Sequence, residues 1–321
     1  MIFILWCTFL LIVFIFLTVC IKAATLRKKR QILKSQLAGL QLGSLVKGLL
    51  SNIQQHRGML NALLKGDNSF KFKILTIQQE IDRNLTLLQA KTSNELEYKK
   101  TITIIARDWK NLKGEATKLE IEISFAKHCT LIEKVLAVLT DVAEQNQLIN
   151  EKSYAIEYVD IIWRLLPVAA ESLGKARAVG CGIAASGGAT AVDKINLRFL
   201  IHKIESALQM VKENLAQIPD SNQIIQGTFD KMDSQIRDFL AVIETQLLLP
   251  EKTSIQAGAF FTEASHMLNA AYGLYEQGEK MAKDSVEATI IKLESTLNLC
   301  YSGIFISGII MPFIYYALMS Y

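Results

Sequence analysis

Two uncharged apolar runs bracket this chain, Ile2 to Ile21 and Leu297 to Tyr321. A helix needs roughly 20 apolar residues to cross a bilayer core, so each run predicts a membrane span. Between them, apolar residues recur every three or four positions, the period of a helix. No alternating stretch of useful length predicts a strand.

The first run predicts a helix that continues to about Lys65 and ends at Gly66-Asp67-Asn68. Ile74, Ile77, Ile81, Leu85 and Leu88 mark a second helix, about Ser69 to Ala90. Thr92-Ser93, with Glu95 close behind, has the pattern of an N-cap. It opens a third helix to about Lys113, with Ile102, Ile105, Trp109 and Leu112 on one face. After Gly114 a fourth helix carries His128, Leu131, Val135, Val138 and Val142 and ends near Asn150. A fifth runs from about Ser153 to Ser186 and is closed by Gly187-Gly188; Pro167 is expected to kink it or to start a fresh segment. The sixth covers about Thr190 to Gln217, before Pro219-Asp220-Ser221, and the seventh about Asn222 to Leu249, before Pro250. The eighth starts near Lys252 and runs into the second apolar segment. Eight helical segments with short connections predict an all-α fold of two stacked four-helix bundles. The expected division is a span over 1–22, bundles over 23–150 and 151–296, and a span over 297–321.

Composition agrees with long helices: the chain has only 4 prolines and 17 glycines in 321 residues. Its net charge of +4 rests on Lys22, Arg27, Lys28, Lys29 and Arg30, beyond which 30 basic residues face 31 acidic ones. That balance leaves no electrostatic footprint for nucleic acid. A secretory signal wants basic residues before its apolar stretch and a small-residue cleavage site after it. Met1-Ile2 and Lys22-Ala23-Ala24 supply neither, so the first run reads as an uncleaved anchor. Lys280, Lys283 and Lys292 precede the second span, so both spans carry their positive charge on the side of the body. The positive-inside bias puts that body in the cytoplasm. Cys129 and Cys181 are the only cysteines away from the spans, too few for a disulfide framework.

Catalytic patterns are missing. His56, His128, His202 and His266 form no i,i+4 pair, so no zinc motif is visible. There is neither a phosphate-binding loop nor a strand leading into a GxGxxG turn, and the glycines from Gly180 to Gly188 read as a helix end. The expectation is a protein that is not an enzyme and carries no cofactor or metal.

Two arginines break the apolar pattern. One stripe runs Val46, Leu50, Ile53, Arg57, Leu60, Leu64; another runs Val159, Trp163, Leu166, Ala170, Leu173, Arg177, Gly180, Ala184. A buried guanidinium needs an acceptor, because uncompensated burial costs several kcal/mol. Neither arginine has a carboxylate three or four residues away. The acceptor is therefore an acid from another helix or a small planar oxyanion, whose paired oxygens match the guanidinium fork.

Two blocks carry a family likeness. Gln54-Gln55-His56-Arg57-Gly58-Met59, followed by Leu63-Leu64-Lys65-Gly66-Asp67, resembles the entry motif of bacterial nitrate/nitrite-sensing-type input domains. The stretch from Leu131-Ile132 through Asp141-Val142-Ala143, Ser153-Tyr154 and Leu166-Pro167 to Glu171-Ser172-Leu173-Gly174-Lys175-Ala176-Arg177-Ala178-Val179-Gly180 resembles related helical input regions of histidine kinases, chemoreceptors and diguanylate cyclases. The resemblance implies two stacked four-helix bundles that bind nitrate or nitrite between arginine-bearing helices. It points to His56 and Arg57 in the first block and Arg177 in the second. Arg237 is a looser candidate, because Asp233 and Asp238 can neutralise it. The expected protein is a two-span sensor of the bacterial inner membrane, possible as a homodimer, whose signal passes to a separate output protein since the chain stops at Tyr321. Many relatives hold this region in the periplasm, the alternative to the cytoplasmic placement. The competing reading is a membrane-anchored helical scaffold with no ligand.

Overall fold

A computed structural model describes residues 2–93, 96–149, 161–217 and 223–320. The described residues are helical, with no strand among them. Eight long helices follow in order: α1 (Ile2–Leu64), α2 (Lys71–Lys91), α3 (Leu96–Glu115), α4 (Ile121–Gln145), α5 (Leu166–Ser186), α6 (Ala191–Leu215), α7 (Gln223–Ile243) and α8 (Ala257–Met319). A 3-10 turn, Asn68–Phe70, leads into α2, and wider π turns precede α5 (Ile161–Leu165) and follow α7 (Glu244–Leu248).

The helix ends have local causes. Past the end of α1, Gly66 has φ of +109°, and beyond α5 Gly187 has +76°, left-handed values that cost a glycine little. Thr190 and Asp193 close a capping box at the start of α6, each side chain accepting the other's backbone N–H. Contacts at three boundaries refine the sequence reading. The Thr92 hydroxyl donates back to the Leu88 carbonyl at the end of α2. Pro167 stands in the first turn of α5, the second of the two outcomes expected of it, because there its missing N–H has no helical acceptor to lose. Helix α8 begins at Ala257 instead of near Lys252, since Thr253 N–H donates to the Gly187 carbonyl and the segment stays irregular. Glu95, Asn150, Ser153, Tyr154, Val159 and residues 219–222 lie outside the described residues.

The chain divides into two compact units, residues 1–38 with 283–321, and residues 39–282. The first pairs the terminal parts of α1 and α8. Both helices are long and apolar enough to cross a membrane, and much of their apolar surface is exposed, including Phe3, Leu10, Phe305, Phe313 and Tyr316. Polar contacts join the pair at one end: Arg27 Nε donates to Tyr301 Oη at 2.6 Å, and Arg30 meets Glu294 at 2.6 Å. Two of the five clustered basic residues are thus tied to α8.

The second unit holds the polar cluster described below. Its α2, α3 and α4 turn their apolar stripes inward, burying Ile74, Ile81 and Leu88, Ile105, Trp109 and Leu112, and Val135, Val138 and Val142. Helix α5 packs on α6 with Leu173, Ala176 and Ile183 fully covered. Close approach depends on missing side chains: a Cβ on Gly180 would sit 2.3 Å from Phe260 Cε1, and one on Gly43 within 1.8 Å of the Trp163 ring. Gly180→Ala is expected to cost about 1–3 kcal/mol by overpacking, less the ~1 kcal/mol that alanine adds to a helix. Urea unfolding measures it, and a midpoint equal to or above that of the native chain would show that the Phe260 ring yields freely.

Candidate functional site

Helical register sends Arg57 of α1 and Arg177 of α5 into the core of the second unit, where each is 1% exposed. Glycines make the space. A Cβ on Gly58 would lie 3.2 Å from Arg177 Nε, and one on Gly174 would lie 3.0 Å from Arg57 Nη2. Each guanidinium therefore rests on a bare glycine beside the other's helix position.

Their hydrogen bonding differs. Arg57 meets Glu171 of α5 end-on, with Nη1 2.6 Å from Oε1 and Nη2 3.1 Å from Oε2. Its Nη1 also reaches Cys129 Sγ at 3.3 Å, and Phe125 of α4 lies under the guanidinium carbon at 5.4 Å. Glu171 Oε2 further accepts from Gln54 Nε2 at 2.9 Å, and Gln54 Oε1 accepts from Tyr272 Oη of α8 at 2.7 Å. Lys175 stands 3.5 Å from Glu171 Oε1 with its side chain 29% exposed. For Arg57, burial alone would lower the pKa, but the charge and hydrogen bonds of Glu171 outweigh it and raise the value.

Arg177 has no such carboxylate. Its Nη1 donates to Ser265 Oγ at 3.0 Å, while Ser265 donates its own proton to the Phe261 carbonyl at 2.6 Å. Phe261 lies against the guanidinium, 4.8 Å from its carbon. The other edge, Nε with Nη2, is buried and has no hydrogen-bond partner, and Arg57 Nε is in the same state. Burial pulls the Arg177 pKa down to about 10. At neutral pH it still carries its charge, with two parallel N–H groups unpaired. That edge has the geometry to hold two oxygens of a planar anion.

The histidine picture changes. Among the described residues no group of three or more histidine, cysteine or acidic side chains could hold a metal. Two of the four histidines nevertheless meet: His56 Nδ1 lies 2.8 Å from His128 Nε2. His128 Nδ1 is 2.7 Å from the Ser124 carbonyl, which can only accept, so that nitrogen carries the proton. His128 Nε2 then accepts from His56 Nδ1–H, and His56 Nε2 accepts from Gln78 Nε2 at 3.1 Å. All four ring nitrogens are satisfied with both rings neutral. Burial drives both pKa values down, His128 to about 4, and His128 lowers His56 further. Trp109 packs its ring edge-on to His56 with centroids 5.0 Å apart.

The structure thus brings Arg57 and Arg177 together and seats His56 beside Arg57 in the chain but in a separate hydrogen-bonded relay. Arg237 does not join them: it is exposed on α7 and pairs with Asp233 at 3.0 Å, which raises its pKa. Sequence reasoning passed over Glu171, Gln54, Ser265 and Tyr272 as site residues. A usable signal existed for Glu171, the one acid in the 21 residues of α5.

No protein-family profile matches the chain, and no curated protein matches it. Among solved structures it is similar to the NasR transcription antiterminator, with a TM-score of 0.65 and 14% identity over 91% of this chain and 82% of that one. At that identity the likeness shows the helical fold alone.

Proposed function

We propose that the protein is a membrane-anchored sensor that binds a small planar oxyanion, nitrate or nitrite in kind, at the buried Arg57–Arg177 pair. The observation that carries this reading is the Nε–Nη2 edge of Arg177, 1% exposed and charged, with no hydrogen-bond partner for either nitrogen among the described residues. Helices α1 and α8 contribute to the polar cluster and also carry the apolar terminal runs. A change in how they pack around the anion is the proposed signal, passed to a separate signalling protein. The two stacked four-helix bundles, the bacterial inner membrane and a cytoplasmic body belong to the same proposal, with a periplasmic body the alternative.

A second reading, a ligand-free helical scaffold, draws on the Arg57–Glu171 ion pair, which needs no anion. Thermal unfolding of the full chain in detergent, with nitrate, nitrite and chloride at matched ionic strength, separates the two. Nitrate or nitrite is expected to raise the midpoint by several degrees, about 1–3 kcal/mol at saturating ligand. Arg177→Gln is expected to remove that gain while leaving the midpoint in chloride unchanged or higher, because a buried unpaired charge is gone. If none of the anions shifts the native midpoint, the sensing function falls and the scaffold stands.

A further inference from the structure

The titratable groups around the two guanidiniums can each be assigned a charge. Arg57 and Arg177 are cations, and Glu171, which accepts from three donors of Arg57 and Gln54, is an anion. Burial raises Tyr272, Cys129 and Cys181, the last to about 12, so all three are neutral. His56 and His128 are neutral by their hydrogen bonding. Asp67, the carboxylate felt by Cys181, lies outside the buried cluster, part-exposed at the turn after α1, where it accepts from the Ser69 N–H. Lys175 reaches solvent, which screens its charge. Among the described residues, the buried cluster therefore holds two positive charges against one negative.

We propose that Glu171 sets the charge of the anion this site accepts: by neutralising Arg57 it leaves a single unbalanced positive charge at Arg177, and so selects a monovalent planar oxyanion over a dianion. This rests on the oxyanion reading above. The geometry supports it. Glu171 takes both terminal nitrogens of Arg57 end-on and Gln54 besides, so it cannot turn to Arg177 without giving up that set. The lateral edge of Arg177 is then the open donor pair, with Arg57 Nε unpaired nearby in the cluster. A monoanion there completes a neutral core. A dianion would bury one negative charge with no cation left for it, and at the separations of this cluster one unit charge is worth a factor of ten or more in affinity, roughly, even at an effective dielectric constant of 20.

The test is titration of the full chain in detergent with sodium nitrate and sodium sulfate at matched ionic strength, read by calorimetry. The native protein is expected to bind nitrate at least about tenfold more tightly than sulfate. Glu171→Gln keeps an acceptor for Arg57 but raises the cluster by one charge, and is expected to shift the preference toward sulfate by about tenfold or more. The double variant Arg57→Gln with Glu171→Gln returns to one unbalanced charge and is expected to regain the preference for nitrate, which a merely structural role for Glu171 would not produce. Should Glu171→Gln not fold in chloride, its folded yield in sulfate is compared with that in nitrate: a higher yield in sulfate supports the proposal and equal yields overturn it. Native nitrate binding with an unchanged preference in Glu171→Gln overturns the selector role and leaves the oxyanion site standing. Failure of both anions to bind the native chain overturns the site itself.

Discussion

Glu171→Leu is expected to destabilise the second unit by about 3–5 kcal/mol, the cost of leaving one member of a buried ion pair without its partner. The site offers no replacement. Arg57 is 1% exposed, its remaining described contacts are a thiol at 3.3 Å and an aromatic ring, and Gln54 would lose its acceptor as well. Removing both charges is a different matter. In Arg57→Met with Glu171→Leu no uncompensated charge remains from the pair, and most of the lost stability is expected to return, since hydrophobic replacement of a buried pair is often neutral or stabilising. Urea unfolding of the two single variants and the double gives the coupling between them. A Glu171→Leu variant within ~1 kcal/mol of the native chain would mean that Arg57 finds another acceptor.

Acid is expected to weaken the fold well above the usual carboxylate range. His128 titrates at about 4 in the folded chain, against an ordinary value of 6.5, and His56 is lowered in the same direction. As pH falls below 6.5 the unfolded chain takes up these protons and the folded chain does not. Stability from the relay is thus complete above pH 6.5 and is lost as pH falls toward the folded values. Each neutral histidine contributes a slope of ~1.4 kcal/mol per pH unit, so His128 accounts for about 3 kcal/mol between pH 6.5 and pH 4. His128→Asn keeps a donor for the Ser124 carbonyl but does not titrate. Its stability is expected to fall less steeply over that window, by about 1.4 kcal/mol per unit. Equal slopes in the two proteins would show that His128 is already doubly protonated, as imidazolium, in the native state.

Much of the fold is legible in the residue pattern because a helix needs only local information. The stripes through Ile74 to Leu88 and Ile102 to Leu112 predict buried faces from spacing alone, and those faces are buried. The errors fall where a distant group intervenes or a position is read from type alone. The start of α8 waits for a backbone contact between Thr253 and Gly187. At the site, periodicity singles out Arg57 and Arg177, since an arginine inside an aliphatic stripe is carried into the core by the helix whatever its neighbours are. Arg237 fails because its own helix supplies Asp233 and its face is exposed.

Two apolar helical runs, a helical body between them and two arginines turned inward are all legible in the residue order, because each follows from a 3.6-residue period and the cost of exposing apolar surface. Which arginine has a counter-charge follows from the packing of distant helices. Glu171 lies 114 residues from Arg57, and His128 lies 72 from His56, so no local spacing relates them. Which helices lie side by side is a property of the whole packed core. That packing gives Arg57 a carboxylate and leaves Arg177 with an open pair of donors.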